Sequence, residues 1–455
     1  MTIMIRRLVA LVATLLVVIA VTGCAESSRQ VATGKGNIRG INAVSTAPEV
    51  VFLIEERSLG GVGFKDSRPY RTFDDLSYNF NFDVFLPAEL ETTRLSTQFI
   101  DFQADHEYTV VLTGSIASPS SLFWEDPIRE WDDSDTVSEI IFAHLAPSMD
   151  ELDIYFAAPG TVPVLGQAVG SLTNGNRLPG MDFAVAEFEM IVTPKDDPAT
   201  IIYQSVPINL AAQTRVLFAI FDGDPTLPGN VGVNFITDAG SSTGLPDVNF
   251  PLQARTLHTA FGTENFDGYF ASDFTNIIYP DVGFKELSPY AGVIETTTTL
   301  TLTPVGNSGA TIHEGDIFVQ PNTRQTVVLV GAPGDLSFYV LPDNGRPVET
   351  TPLTRFLNAS FNTEALDVYI LEPGTPIDED VLALIRALPS AVDTGFVELP
   401  GGMRELTVTL FGEKTPISAP VILDLANGDV FDVAIVDTVD PNMVEIVVFD
   451  TLSLP

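Results

Sequence analysis

A short motif that returns about every hundred residues constrains the fold of this chain more than any other feature. Residues 142–156 read FAHLAPSMDELDIYF, residues 257–270 read LHTAFGTENFDGYF and residues 357–370 read LNASFNTEALDVYI. In each, a His or Asn is followed nine positions later by Asp and then, two further on, by Tyr: His144, Asp153, Tyr155; His258, Asp267, Tyr269; Asn358, Asp367, Tyr369. A weaker copy opens at Ile41-Asn42-Ala43, with Val51 and Leu53 at the Asp and Tyr positions. The anchors 42, 144, 258 and 358 stand 102, 114 and 100 residues apart, an interval that suits one β-sandwich domain.

Each unit also closes alike, with a polar turn running into a β-rich segment at residues 104–108, 211–215, 320–324 and 426–430. The runs YTVVL (108–112), RVLFAIF (215–221), TVVLV (326–330) and FDVAIV (431–436) are bounded by Gly, Pro, Asn and Asp clusters, the pattern of short strands in sandwiches or barrels. Four modules are expected, at 38–117, 138–236, 253–341 and 353–455, joined by linkers at 118–136, 237–251 and 342–352. One helix is expected over residues 379–388, with Asp378 as its cap and Pro389 beyond its end.

Alternate side chains of a strand face opposite ways. In residues 152–156 this puts Leu152, Ile154 and Phe156 on a core face and Asp153 and Tyr155 on the other. Asp153 then accepts a hydrogen bond from His144 or from the intervening loop backbone, a use that fixes the turn. If the trio were catalytic, only modules 2 and 3 would be active, which favours a structural role and a chain that is not an enzyme. Residues 50–54 (VVFLI) are apolar on both faces, which predicts that a neighbouring module covers the outer one.

The N-terminus carries an export pattern. Arg6 and Arg7 precede an apolar run over residues 8–21 that only Thr14 interrupts. That run is about fourteen residues, short of the roughly twenty that span a bilayer as a helix. Val21-Thr22-Gly23-Cys24 follows and resembles the bacterial lipobox. It predicts a signal peptide over 1–23, lipid on Cys24 and a flexible tether over 24–37. Each buried acyl methylene contributes about 0.8 kcal/mol, so two or three chains make the anchor effectively permanent. Cys24 is the sole cysteine in 455 residues, so no intramolecular disulfide can form and each module depends on its own core. Ala25 after the cysteine, where Asp would signal retention, favours the outer membrane in a bacterium with two membranes.

Charge narrows the partners. With 22 Lys and Arg against 60 Asp and Glu, the formal net charge is −38. Such a surface repels phosphate backbones, which excludes nucleic acid as an expected partner. It repels anionic head groups as well, so lipid and not charge must hold the chain to a membrane. The same field concentrates divalent cations.

The opening motif, the Asp-x-Tyr strand and the closing YTVVLTG at 108–114 resemble domain-of-unknown-function family 4397. Members are bacterial extracytoplasmic modules, often in tandem, so the resemblance implies an all-β chain of about four tandem immunoglobulin-like β-sandwich modules behind a lipoprotein signal peptide. The family's opening His is matched by His144 and His258, whereas Asn42 and Asn358 depart from it and module 1 lacks the Asp and Tyr. The expected function is that of a lipid-anchored cell-envelope protein with a non-enzymatic binding or structural role and no cofactor. Its partners would be the membrane, through the anchor, and an envelope protein or glycan, on the periplasmic or the outer surface.

Other local signals point to different chemistries. Residues 240–244 (GSSTG) fit the G-x-S-x-G pattern of a serine hydrolase with Ser242 as nucleophile, but that elbow needs a strand before it and a helix after it, and the sequence suggests neither. Asp132-Asp133-Ser134-Asp135 and Asp222-Gly223-Asp224 offer oxygens to calcium, the basis of the alternative reading as a calcium-dependent adhesion or carbohydrate-recognition protein. Neither run matches the twelve-residue calcium loop. The histidines, His106, His144, His258 and His313, show no metal-ligand spacing. Trp124 and Trp131, with Phe123 and Ile128, suit an interdomain packing cluster better than sugar stacking.

Overall fold

β-branched runs punctuated by turn residues favour short strands, and every regular element among the described residues is a strand. The computed structural model describes residues 31–450 apart from 87–91, 225, 226, 228, 344 and 345. The expected signal peptide and the expected lipid site at Cys24 lie outside the described residues.

Module 1 has eight strands: Lys35–Asn42, Val50–Ile54, Arg57–Val62, Arg71–Asp74, Ser77–Phe85, Thr92–Asp101, His106–Gly114 and Pro119–Pro127. Numbered by their place in the module, they form one sheet of order 4-1-7-8 and a second of order 3-2-5-6. Modules 3 and 4 repeat both orders, and module 2 repeats them with a divided sixth strand and an extra edge strand, Ser242–Leu245. First and seventh strands run parallel in all four modules. The two sheets of each module enclose a separate core, around Phe52 and Phe82, Phe142 and Phe218, Leu300 and Leu329, or Phe356 and Val433.

The 4-1-7-8 sheets are buried on both faces. In Arg215–Asp222, the side chains of Val216, Phe218 and Ile220 belong to the core of module 2, while Leu217, Ala219 and Phe221 pack on Ile41, Ala43 and Val111 of module 1. Modules 3 and 4 pair likewise, Leu257, Val328 and Val330 against Leu357, Ala359 and Ala434. Full burial of a large aliphatic side chain is worth about 1.5–3 kcal/mol, so each interface is in effect a further core. Charge pairs flank both. Arg215 Nη1 lies 2.6 Å from Glu107 Oε2, and Arg355 Nε lies 2.6 Å from Asp432 Oδ1, with Asp343 at 3.2 Å from its Nη2.

Smaller contacts close the four modules into a ring. Asp247 N donates to Asn322 Oδ1 at 2.9 Å between modules 2 and 3. Arg346 and Glu349, on the segment entering module 4, hold module 1: Arg346 Nη1 donates to the Ala47 carbonyl at 2.7 Å and Glu349 N to the Thr46 carbonyl at 2.8 Å.

Several expectations need correction. No helix forms at 379–388: Asp378 Oδ1 accepts the Asp380 and Val381 amides at 3.0 and 3.2 Å, which makes only a turn, and Ile385–Pro389 pairs with the second strand of module 4. About ten residues hold an isolated helix poorly, and as a strand the segment places Leu388 in the core. Residues expected as linkers are structural: Pro119–Pro127 is the eighth strand of module 1, and Ser242–Leu245 extends module 2. The tether ends earlier than expected, because Lys35 already pairs with Asp74 in the sheet register. The neighbour that covers module 1 packs on the face carrying Ile41 and Val111, not on the strand Val50–Ile54.

An ionised carboxylate placed between paired sheets has no partner and costs several kcal/mol. Ala219→Glu should therefore split the calorimetric unfolding of the chain, with modules 1 and 2 melting early. A single transition at the parent temperature would show that the module 1–2 interface does not couple their folding.

Candidate functional site

The repeated motif builds latches. Asn42, His144, His258 and Asn358 are the last or next-to-last residues of the four first strands, all fully buried. Asn42 Oδ1 accepts the Val44 amide at 3.0 Å while Nδ2 donates to the Val62 carbonyl at 3.2 Å. Asn358 repeats this with Ser360 N and the Leu388 carbonyl, both at 3.1 Å. His144 Nδ1 accepts from Ala146 N at 3.2 Å, which leaves the proton on Nε2 to donate to the Asp150 carbonyl at 2.9 Å. An amide and an imidazole thus serve the same position because each offers one acceptor and one donor. His258 departs: neither nitrogen makes a well-formed hydrogen bond, although the backbone of Thr263 and Glu264 lies close to the imidazole, and its ring packs on Phe266 and Phe284 at 5.2 and 5.9 Å. Burial pushes both histidines below the usual imidazole range.

The Asp of the motif clamps the strands on either side of it. Asp267 accepts Asp281 N at 2.9 Å and Gly306 N at 2.8 Å; Asp367 accepts Ala387 N at 2.8 Å and Gly412 N at 3.0 Å. The donors have positive φ, 48° at Asp281 and 54° at Ala387 in the third strand, 72° at Gly306 and 81° at Gly412 after the fifth. In both modules the register between second and third strands shifts across the Asp, so the carboxylate caps a β-bulge. Module 2 has no shift there, and Ser171 Oγ takes the third-strand place at 2.5 Å from Asp153 Oδ1, with Asp196 N at 2.9 Å from Oδ2. The expected turn-fixing carboxylate is present, but its donors are the flanking strands and not His144. Tyr155, Tyr269 and Tyr369 share its face and are buried. Tyr269 lies 5.2 Å from the ring of Phe274, and Tyr369 faces Lys414 Nζ at 5.3 Å.

The other sequence signals are absorbed by packing. Ser242 opens a strand, not a helix, and its Oγ donates to the Lys65 carbonyl at 2.6 Å and accepts Asn234 Nδ2 at 3.0 Å. Asp135 Oδ2 accepts Asp132 N at 2.9 Å and so closes its own turn. Asp222 Oδ1 accepts Ser148 N and Oγ at 3.2 and 2.5 Å, and Asp224 faces Arg324 at 3.7 Å. Among the described residues no group of three or more His, Cys, Asp or Glu side chains is arranged to hold a metal ion. His106 Nδ1 lies 2.9 Å from the Ala104 carbonyl, and His313 packs on Phe338 at 4.6 Å. Trp124 joins the cluster between modules 1 and 2, and Trp131 lies under Arg129 at 4.5 Å.

What the motif does not occupy is the junction where the ring closes. A cavity of about 730 Å³ opens there, lined from module 1 by Phe64 and Lys65, from module 2 by Ser148, Asp222 and Asn230, and from modules 3 and 4 by Asn322, Arg346 and Phe396. A second space of about 400 Å³ adjoins it and shares Phe64, Lys65 and Asn230. Lys65 has φ 69°, and its amide donates to the Asn42 carbonyl at 2.9 Å. Its ammonium lies 4.9 Å from the Phe64 ring centroid, with the Arg346 guanidinium 5.7 Å from the same ring. Burial pushes Lys65 down to about 8. None of these residues belongs to the repeated His/Asn, Asp, Tyr motif. A signal was present in the sequence: Val-Gly-Phe-Lys at 62–65 recurs at 282–285.

Two outcomes follow for the motif. Asp367→Ala removes a buried acceptor of two amides and should cost about 3 kcal/mol in module 4, read by denaturant unfolding; a loss below 1 kcal/mol would mean that the clamp is dispensable. For the histidines, a folded pKa below the unfolded value means that the unfolded chain binds more protons between the two. Their contribution is therefore complete above about pH 6.5 and is lost as pH falls through the folded values. The double variant His144→Asn, His258→Asn, which installs the amide used in modules 1 and 4, should flatten the stability loss between pH 7 and 5. An equally steep loss in that variant would assign the titration to other groups.

The family described as Domain of unknown function (DUF4397) matches residues 36–155 and 253–369, together more than half of the chain. Each match begins at or near the first strand of an odd-numbered module and ends in the second strand of the module paired with it. No curated protein matches. Among solved structures, one titled "Alpha-glucan recognition by family 41 carbohydrate-binding modules from streptococcal virulence factors" is similar at 11% identity over 45% of this chain and 99% of that chain, with a TM-score of 0.17. A likeness that loose carries no argument about ligand. On the matched residues, and with the all-β sandwich modules they fold into, the chain belongs to the DUF4397 family.

Proposed function

We propose that this chain is a lipid-anchored, non-enzymatic binding protein of the bacterial cell envelope, and that its binding site is the cavity where the four modules meet. The observation that carries this reading is the contrast between motif and junction. The repeated His/Asn and Asp are consumed by backbone hydrogen bonds, apart from the ring-packed His258, whereas the junction holds about 730 Å³ of open space with charged, amide and aromatic walls. That volume falls in the range of small-molecule sites. The anchor rests on Val21-Thr22-Gly23-Cys24 and on a charge of −38, which leaves lipid as the attachment to an anionic membrane. Ala25 points to the outer membrane, and the partner would be a soluble envelope molecule or part of a glycan or protein there.

Cell fractionation combined with native mass spectrometry tests both halves. The parent protein should stay with membranes through a high-salt wash and Cys24→Ser should appear in the soluble fraction. Protein lifted from its own membranes in mild detergent should carry a small-molecule adduct that disappears on unfolding. Release of the parent by salt would remove the anchor, and an adduct-free spectrum would remove the binding site.

A further inference from the structure

The two module pairs are built alike, and one difference between them marks an ammonium that no carboxylate of the fold pairs with directly. Lys65 of module 1 and Lys285 of module 3 hold matching positions. Each follows a phenylalanine, has a left-handed backbone (φ 69° and 67°) and donates its amide to the carbonyl of the latch residue, Asn42 at 2.9 Å and His258 at 2.7 Å. Lys285 reaches the eighth strand of the paired module, where its ammonium meets Glu445 Oε1 and Oε2 at 2.9 and 3.1 Å.

Strand register identifies the residue of module 2 that matches Glu445. Beside the latch Asn358 stands Ile435, and the next residue, Val436, pairs with Glu445; beside the latch His144 stands Ile220, and the next residue, Phe221, pairs with Gly232. A Cβ at Gly232 would lie 2.7 Å from Lys65 Nζ. The lysine therefore reaches the matching point on its neighbour and finds a glycine where the other pair has a carboxylate.

Among the described residues Lys65 is the one lysine whose ammonium makes neither a hydrogen bond nor an ion pair. Lys35, Lys195 and Lys285 hold Asp74, Glu151 and Glu445, and Lys414 donates to the Val381 carbonyl. In a chain of net charge −38 this is no shortage of carboxylates. The charges that act on Lys65 are Asp222 and Asp224 of module 2, which favour the ammonium, and Arg346 ahead of module 4, which opposes it along with burial. Beside the lysine, over Gly232, lies the space of about 400 Å³.

We infer that this space takes a small monocarboxylate, whose carboxylate sits on the Lys65 ammonium as Glu445 sits on that of Lys285. The inference rests on the binding reading above and adds the chemical class of ligand. Asp66, Asp224 and Asp247 line the same space and Asp222 also acts on the lysine, so one negative group completes the ammonium and a second would be repelled by these carboxylates. Monoanions should therefore bind better than dianions, and neutral molecules of the same shape should bind poorly. Loss of the proton above about pH 8 should release the ligand.

Titration calorimetry of the mature detergent-solubilised protein at pH 7 tests this with glucuronate and lactate as monoanions, glucose as the neutral probe and succinate as the dianion. Glucuronate or lactate should bind at least tenfold tighter than glucose and succinate. Lys65→Met and Gly232→Glu, the second supplying an internal carboxylate, should each weaken that binding at least tenfold with the melting temperature held or raised. Binding that survives both variants, or glucose binding as well as the acids, overturns the carboxylate assignment and leaves the cavity a binding site. Absence of heat with both monoanions also overturns it, and an adduct-free native mass spectrum would sink the binding reading as well.

Discussion

Burial of one sheet on both faces governs the rest of this structure. Once the 4-1-7-8 sheet of each module carries apolar side chains on its inner and its outer side, no module can stand alone without exposing Leu217, Ala219 and Phe221 or their counterparts Val328 and Val330. Exposed clusters of that kind favour association. Within this chain the nearest equivalent surface belongs to the adjoining module, tethered by a short segment at high effective concentration. Pairing in sequence order, 1 with 2 and 3 with 4, follows from that proximity.

The polar groups at the interfaces give the pairing its geometry. Apolar sheet faces alone tolerate sliding, whereas Arg355 between Asp432 and Asp343, and Arg215 beside Glu107, are satisfied at one offset. A mismatched offset would strand a buried charge, which costs several kcal/mol. Latches and clamps act one level below, fixing the bulges and turns that set where each first and second strand ends. The unspent space at the junction is what remains when four rigid bodies of this shape close a ring.

Much of this was legible in the residues. The hundred-residue interval, the strand character of residues 108–112 and 215–221, and the core face of residues 152–156 all follow from alternation and turn chemistry, which act locally. The pairing of modules is written in the same runs: VLFAIF at 216–221 is apolar at every position, as a strand covered on both sides must be. Residues 50–54 share that look, but Val50, Phe52 and Ile54 lie in the core of module 1 and none of the five joins a cluster between modules, so the pattern alone does not tell which sheet a neighbour covers. Residues 119–127 read as linker because Pro, Ser and acidic residues dominate an edge strand that is half-exposed. Residues 379–388 read as a helix because their local propensity is helical, and pairing with Ala365–Leu371 overrode it. The solitary state of Lys65 depends on a glycine 167 positions away, a relation that appears only when strand register is known.

Four sandwiches close into a ring of two face-packed pairs and do not hang as a string. Small-angle X-ray scattering of the mature chain in detergent-free Cys24→Ser form distinguishes the two shapes. A compact body of this length should have a radius of gyration of about 22 Å, while four modules strung end to end would give about 40 Å. A value in the low twenties supports the ring. A value near 40 Å, or one that rises with salt as the Arg215 and Arg355 pairs are screened, would contradict it.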